Sequence, residues 1–203
     1  MSFRGWPSEA LEFYEGLGAD NSKTYWTAHL EFYEQQVRGP MRELLDELEP
    51  EFGPGKIFRP YRDVRFSKDK TPYKTHLGAW LEFGGYIQLS ADGLAAGSGI
   101  YHMEPEQLDR YRRAVDNDLT GGDLAKLIAD GTVDVVGHDS LKTAPRGYPK
   151  DHPRIELLRH KGLSTWKDWA PAPWLGTAAA KKRVVDFFRA SEPIRAWLDG
   201  NVR

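Results

Sequence analysis

The chain has 203 residues, 40% of them hydrophobic and 12% aromatic, with a formal net charge of −2. This size and composition suit one packed domain, taken as residues 1–203, and exclude a disordered chain, a fibrous chain and a wholesale basic nucleic-acid binder. The absence of Cys excludes a disulfide scaffold, a Cys-ligated zinc site and a thiol nucleophile together.

The first residues lack the apolar stretch of a secretory signal, and no apolar run approaches membrane-spanning length. A cytoplasmic protein with no membrane partner is therefore expected. Ser8 reads as an N-cap before a helix carrying Leu11, Phe13, Tyr14 and Leu17, which ends near Gly18. Asp20-Asn21-Ser22 reads as a turn capping a second helix, with Tyr25, Trp26, His29, Phe32, Tyr33 and Val37 at three- and four-residue spacing. Gly39-Pro40 is expected to interrupt it and to start a third helix with Met41, Leu44, Leu45, Leu48 and Phe52.

The period then changes. Ile57-Phe58 begins a strand-like stretch with Pro60 at a bend. From Tyr61 to Ser67, Arg62, Val64 and Phe66 alternate with Asp63 and Arg65. His76–Phe83, Tyr86–Ala91 and Leu94–Tyr101 read as three consecutive antiparallel strands. Gly84-Gly85 and Asp92-Gly93 are taken as their two-residue turns. Leu77, Ala79, Leu81 and Phe83 should share one face, and Ile87 and Leu89 should face a core.

A helix from Glu104 to about Asn117 follows, then a short amphipathic helix after Gly121-Gly122 and a strand at Val133–Val136. Lys142–His152 reads as a long loop. Trp166, Trp169 and Trp174 are expected to cover the core. Ala178–Ala190 and Glu192–Leu198 read as two closing helices capped by Thr177 and Ser191. The fold class predicted is α+β, with a central antiparallel meander at about 76–101 packed with helices from both chain ends.

Charge is concentrated in one place. Arg59 to His76 holds six basic residues (Arg59, Arg62, Arg65, Lys68, Lys70, Lys74) against two acids, Asp63 and Asp69, a local +4 that leaves −6 for the rest. Such a field focuses anions. The order Arg59-x-x-Arg62-Asp63-x-Arg65-Phe66, then Asp69-Lys70 and Tyr73, resembles the signature of the domain-of-unknown-function 2461 family, a bacterial group with scattered fungal members. The resemblance extends to Asn21-x-x-x-Tyr25-Trp26, Gly97-Ser98-Gly99-x-Tyr101 and Arg110. It implies a shared fold and brings no catalytic residue with it. Where the family has a Pro soon after the strand Tyr, this chain has His102-Met103-Glu104 before Pro105.

Three readings of the segment stay open. In the first, a binding module or enzyme holds a phosphate, nucleotide or carboxylate ligand through Arg59, Arg62, Asp63, Arg65, Lys70, Tyr73, Lys74 and His76. Arg forks grip two oxygens at once and Lys adds point charge. In the second, a structural or protein-interaction domain uses the segment as an internal salt-bridge network, with Asp63 paired to Arg65 and Arg62 meeting a helix carboxylate such as Glu9, Glu12 or Glu31. In the third, a hydrolase or transferase uses Asp63 or His76 as base. The six His show no metal-binding spacing, so no metal or other cofactor is expected. The expected partner is a small anion. Nucleic acid is suggested only by Arg146-Gly147-Tyr148-Pro149-Lys150, which a solvated loop explains better.

Overall fold

The structure, a computed structural model, describes residues 2–65 and 68–203. The α+β expectation holds. Helices α1 (Glu9–Ala19), α2 (Lys23–Phe32) and α3 (Gly39–Phe52) precede strand β1 (Gly55–Ile57). The meander β2 (His76–Leu81), β3 (Gly85–Ser90) and β4 (Gly93–Ile100) follows. Next come α4 (Pro105–Asp116), α5 (Asp118–Ala129), β5 (Val135–His138), α6 (Ile155–Arg159), β6 (Gly162–Trp169) and α7 (Ala179–Asn201). The strands form one six-stranded sheet in the order β1-β2-β3-β4-β6-β5.

The first helices follow their caps. Ser22 Oγ accepts the Tyr25 N–H at 3.1 Å, which starts α2. Gly39-Pro40 does not break the helical path. A π-helical segment, Tyr33–Arg38, joins α2 to α3. Pro40 has no N–H to donate and its ring crowds the preceding turn. The helix widens there instead, so that the Gly39 N–H donates to the Glu34 carbonyl, five residues back.

In the meander, Leu77 pairs with Leu89 and Ala79 with Ile87 in antiparallel register. All four side chains are buried, as is Leu81. Phe83 leaves this face and is 53% exposed. The reason is the turn. Leu81 pairs with Gly85, so the loop is Glu82-Phe83-Gly84, not Gly84-Gly85. The next turn is Ala91-Asp92, with Gly93 already in β4. Both strand-opening glycines carry a positive φ, 144° at Gly85 and 107° at Gly93.

Other boundaries also move. Helix α5 starts at Asp118, capped by Asn117, and carries Gly121-Gly122 inside it. Trp166 and Trp169 lie on β6, a strand the aromatic composition concealed. The C-terminal stretch is one helix, α7, with Pro193 inside. Ser191 caps nothing there. Its buried hydroxyl bonds Thr165 Oγ1 at 2.8 Å. The expected Tyr61–Ser67 alternation is not realised. Residues 62–64 have no regular structure, and Phe66 and Ser67 lie outside the described residues.

The chain divides into two compact units. In the unit of Met1–Ala96 and Asp168–Asp186, α3 lies against β1 and β2 and α1 against β3, burying Leu17, Met41, Leu44 and Leu48. In the unit of Gly97–Lys167 and Phe187–Arg203, Tyr111, Val115, Leu124, Leu163, Ile194 and Leu198 form the core. Gly99 there has φ 138°, and an added Cβ would lie 2.5 Å from the Leu163 carbonyl oxygen. This close strand approach accounts for the Gly97-Ser98-Gly99 run. Among the described residues no helix is long and apolar enough to cross a membrane.

Two glycines test this packing. Gly99→Ala combines backbone strain with a steric clash and should lower stability by about 1–3 kcal/mol. Gly122→Ala, in a helix with open space around it, should raise stability by roughly 0.5–1 kcal/mol. Urea denaturation of both variants checks the contrast.

Candidate functional site

Between β1 and β2 the chain makes one long excursion, and its two arms stay antiparallel. The Phe58 N–H donates to the Gly78 carbonyl at 2.9 Å, Lys74 N–H to Pro60 O at 2.8 Å, and Arg62 N–H to Pro72 O at 2.8 Å. Ile57 pairs with Ala79 and Tyr61 with Tyr73. Four residue steps on one arm thus face six on the other, and the surplus bulges between Lys74 and Gly78. Pro60 cannot donate to a ladder, so the regular strand ends before it.

The returning arm is tied to α2 through Tyr73. Asn21 Nδ2 donates to the Tyr73 carbonyl and Asn21 Oδ1 accepts the Tyr73 N–H, both at 3.0 Å. A side-chain amide here replaces a neighbouring strand. The Tyr73 ring, 6% exposed, stacks on Trp26 at 4.5 Å with planes 11° apart. Burial pushes the Tyr73 phenol above its usual range, with Tyr61 adding to it. Tyr73 is therefore an anchor.

At the tip, each of the two acids is taken up by an arginine. Arg65 forks onto Asp63 through Nε–Oδ1 at 3.0 Å and Nη2–Oδ2 at 2.7 Å. The pair stands in solvent, its side chains 76% and 45% exposed. Arg62 is bound by Asp69 and by the Thr71 hydroxyl, so its carboxylate comes from the segment itself and not from Glu9, Glu12 or Glu31. Asp69 also accepts the Thr71 N–H at 2.9 Å. That N–H, then Arg62 and the Thr71 hydroxyl, hold its carboxyl down to about 2. Asp63 is held below its usual range by the Arg65 guanidinium first. Lys70 Nζ donates to the Val64 carbonyl at 2.9 Å.

Arg59, Lys74 and His76 behave differently. No ion pair holds any of the three among the described residues. Burial lowers the Lys74 pKa, and the neighbouring Arg59 lowers it further. Burial likewise lowers the His76 pKa, with Lys74 second. The Lys74 ammonium lies 5.7 Å above the centre of the Phe58 ring. Arg59 also lines a groove of about 580 Å³ that runs from Trp26 and the Glu34/Arg38 turn of the π segment to Lys56 and Tyr61. Glu34 accepts from Arg38 at 2.9 Å. Of the eight candidate ligand residues, the fold thus groups Arg59, Lys74 and His76 and engages Arg62, Asp63, Arg65, Lys70 and Tyr73 internally.

The sequence matches the family described as conserved hypothetical protein (DUF2461) over residues 9–197. The chain belongs to that family. No curated protein and no solved structure matches it. Two stretches of the DUF2461 resemblance, Asn21-x-x-x-Tyr25-Trp26 and the Tyr73 end of the charged segment, meet in space at the Tyr73 anchor. Lys56, Glu34 and Arg38 carry no such signal. Lys56 is an ordinary strand lysine, and the other two enter the groove through a π turn that residue spacing does not announce. Among the described residues no cluster of three or more His, Asp or Glu is placed to hold a metal ion.

Anchor and tip should respond differently to mutation. Asn21→Ala removes two hydrogen bonds to partly buried backbone groups and should cost about 1–3 kcal/mol. Asp63→Ala breaks only a solvated pair. Its denaturation midpoint should stay close to that of the parent protein, far above that of Asn21→Ala.

Proposed function

We propose that the protein binds a small anion at Arg59, with Lys74 and His76 beside it. The observation that carries this reading is the grouping of three basic side chains on one hairpin with no carboxylate among the described residues paired to any of them. Lys74 and His76 are harder to protonate there than in water, because burial strips their solvent and a neighbouring cation, Arg59 for Lys74 and Lys74 for His76, repels the added charge. A bound anion supplies that charge. The tip supports a second reading for its own residues alone. Arg62–Asp69 and Asp63–Arg65 act as a short-range network that shapes the loop. Asp63 is a poor base in this arrangement, because Arg65 already occupies both its oxygens.

The pH dependence follows from linkage. His76 has a depressed pKa in the free protein, and an anion beside it favours the imidazolium, so binding takes up a proton. Affinity should therefore rise as pH falls toward the depressed pKa of His76 in the free protein, below the ordinary His value of roughly 6.5. Sulfate, whose charge is constant in this range, is the appropriate probe. Titrations followed by NMR should show the His76 ring resonances moving, its pKa rising with sulfate, and the effect fading with added sodium chloride. An unmoved His76 at saturating sulfate and low salt would rule out the site.

A further inference from the structure

We infer that the groove between the π segment and the Lys56–Tyr61 arm takes a nucleoside phosphate, with the base against Tyr61 and the phosphate on Arg59 and Lys56. This rests on the anion-binding reading, because Arg59 belongs to both.

The groove is larger than a bare anion needs. Its volume of about 580 Å³ falls in the range of pockets for drug-sized ligands, roughly 300–1,000 Å³. It also has two chemically distinct parts. One is aromatic. The Tyr61 ring is backed by Trp26 at 6.1 Å and by Tyr73 at 5.6 Å between ring centres, yet the residue remains 50% exposed. A tyrosine held from behind and uncovered in front is a stacking platform. Phe58, 39% exposed, extends the apolar surface toward Lys74.

The other part is cationic. Lys56, Arg59 and Arg38 face one carboxylate, Glu34, which Arg38 already engages at 2.9 Å. Two positive charges are left over, and neither Lys56 nor Arg59 has an ion-pair partner among the described residues. Inorganic phosphate would answer the cations and leave the aromatic wall wet. An uncharged aromatic ligand would cover the wall and leave the cations unanswered. A base joined to a phosphate by a sugar satisfies both, and Glu34 offers an acceptor to an exocyclic amine or a ribose hydroxyl.

The test compares sulfate, ribose 5-phosphate, adenosine and adenosine 5′-monophosphate on the full chain, by NMR titration at low salt. The monophosphate should bind about tenfold more tightly than ribose 5-phosphate, the increment expected of one stacked base. Adenosine should bind more weakly than the monophosphate. Tyr61→Ala should remove the advantage of the monophosphate over ribose 5-phosphate, and Tyr61→Phe, which keeps the ring, should retain it. Arg59→Ala should weaken both phosphates. Equal affinity for ribose 5-phosphate and the monophosphate would overturn the nucleotide assignment and leave the anion site standing. Failure of all four probes to bind would overturn both. Tighter binding of a short single-stranded oligonucleotide than of the monophosphate would also overturn the assignment to a free nucleotide.

Discussion

The geometry of the charged hairpin depends on how Tyr73 is held. Its backbone is claimed on both sides by the Asn21 amide, and its ring is laid flat on Trp26. Both partners come from the start of α2, where Ser22 caps the helix and so fixes the direction in which Asn21 leaves it. An irregular excursion of this length loses much conformational entropy when it is ordered. A single well-satisfied residue on its returning arm limits that loss, because the opposite arm is then bonded to it through Tyr61, Arg62 and Pro60. The placement of Arg59 and Lys74 follows from this anchor and from the bulge next to it.

The charges of the segment divide by sequence distance. Asp63 and Arg65 are two residues apart, and Asp69 and Thr71 likewise, so each finds its partner with little chain to order. Arg59 and Lys74 lie on opposite arms, and the acids nearest Arg59, Asp63 and Glu34, are already engaged by Arg65 and Arg38. Local pairing therefore cancels two of the four positive charges at the tip and none at the base of the hairpin, where Arg59 and Lys74 lie. The same logic explains why a lowered pKa, about 2 for Asp69, favours the charged form of that acid, while the lowered values of Lys74 and His76 favour their neutral forms. The first has gained donors, and the other two have lost solvent and gained like charge.

Much of the fold was legible in the sequence because its signals are local. The alternation of Leu77, Ala79 and Leu81, the turn residues of the meander and the cap at Ser22 each act within a few positions. The failures share a cause as well. Pro40 reads as a break because a proline removes a helical donor, but buried Tyr33, Val37 and Met41 hold the chain helical across it and the π turn absorbs the defect. Ser191 reads as a cap, whereas its bond to Thr165 on β6 is formed from 26 residues away. Of the site, the eight charged and aromatic positions stood out by composition, while their division into engaged and unengaged groups did not.

Composition and periodicity by themselves determined the α+β class, the antiparallel meander, the lack of thiol chemistry and the concentration of positive charge between Arg59 and His76. These depend on side-chain type and on spacing along the chain. Tertiary structure alone decided that Asn21 and Trp26 would meet Tyr73, that Arg62 would take Asp69 instead of a helix carboxylate, and that Arg59 would sit with Lys74 and Lys56 beside an aromatic wall. Each of those joins residues from separate elements. Their approach is set by packing of the helices on the sheet and by which backbone groups the bulge leaves to be satisfied.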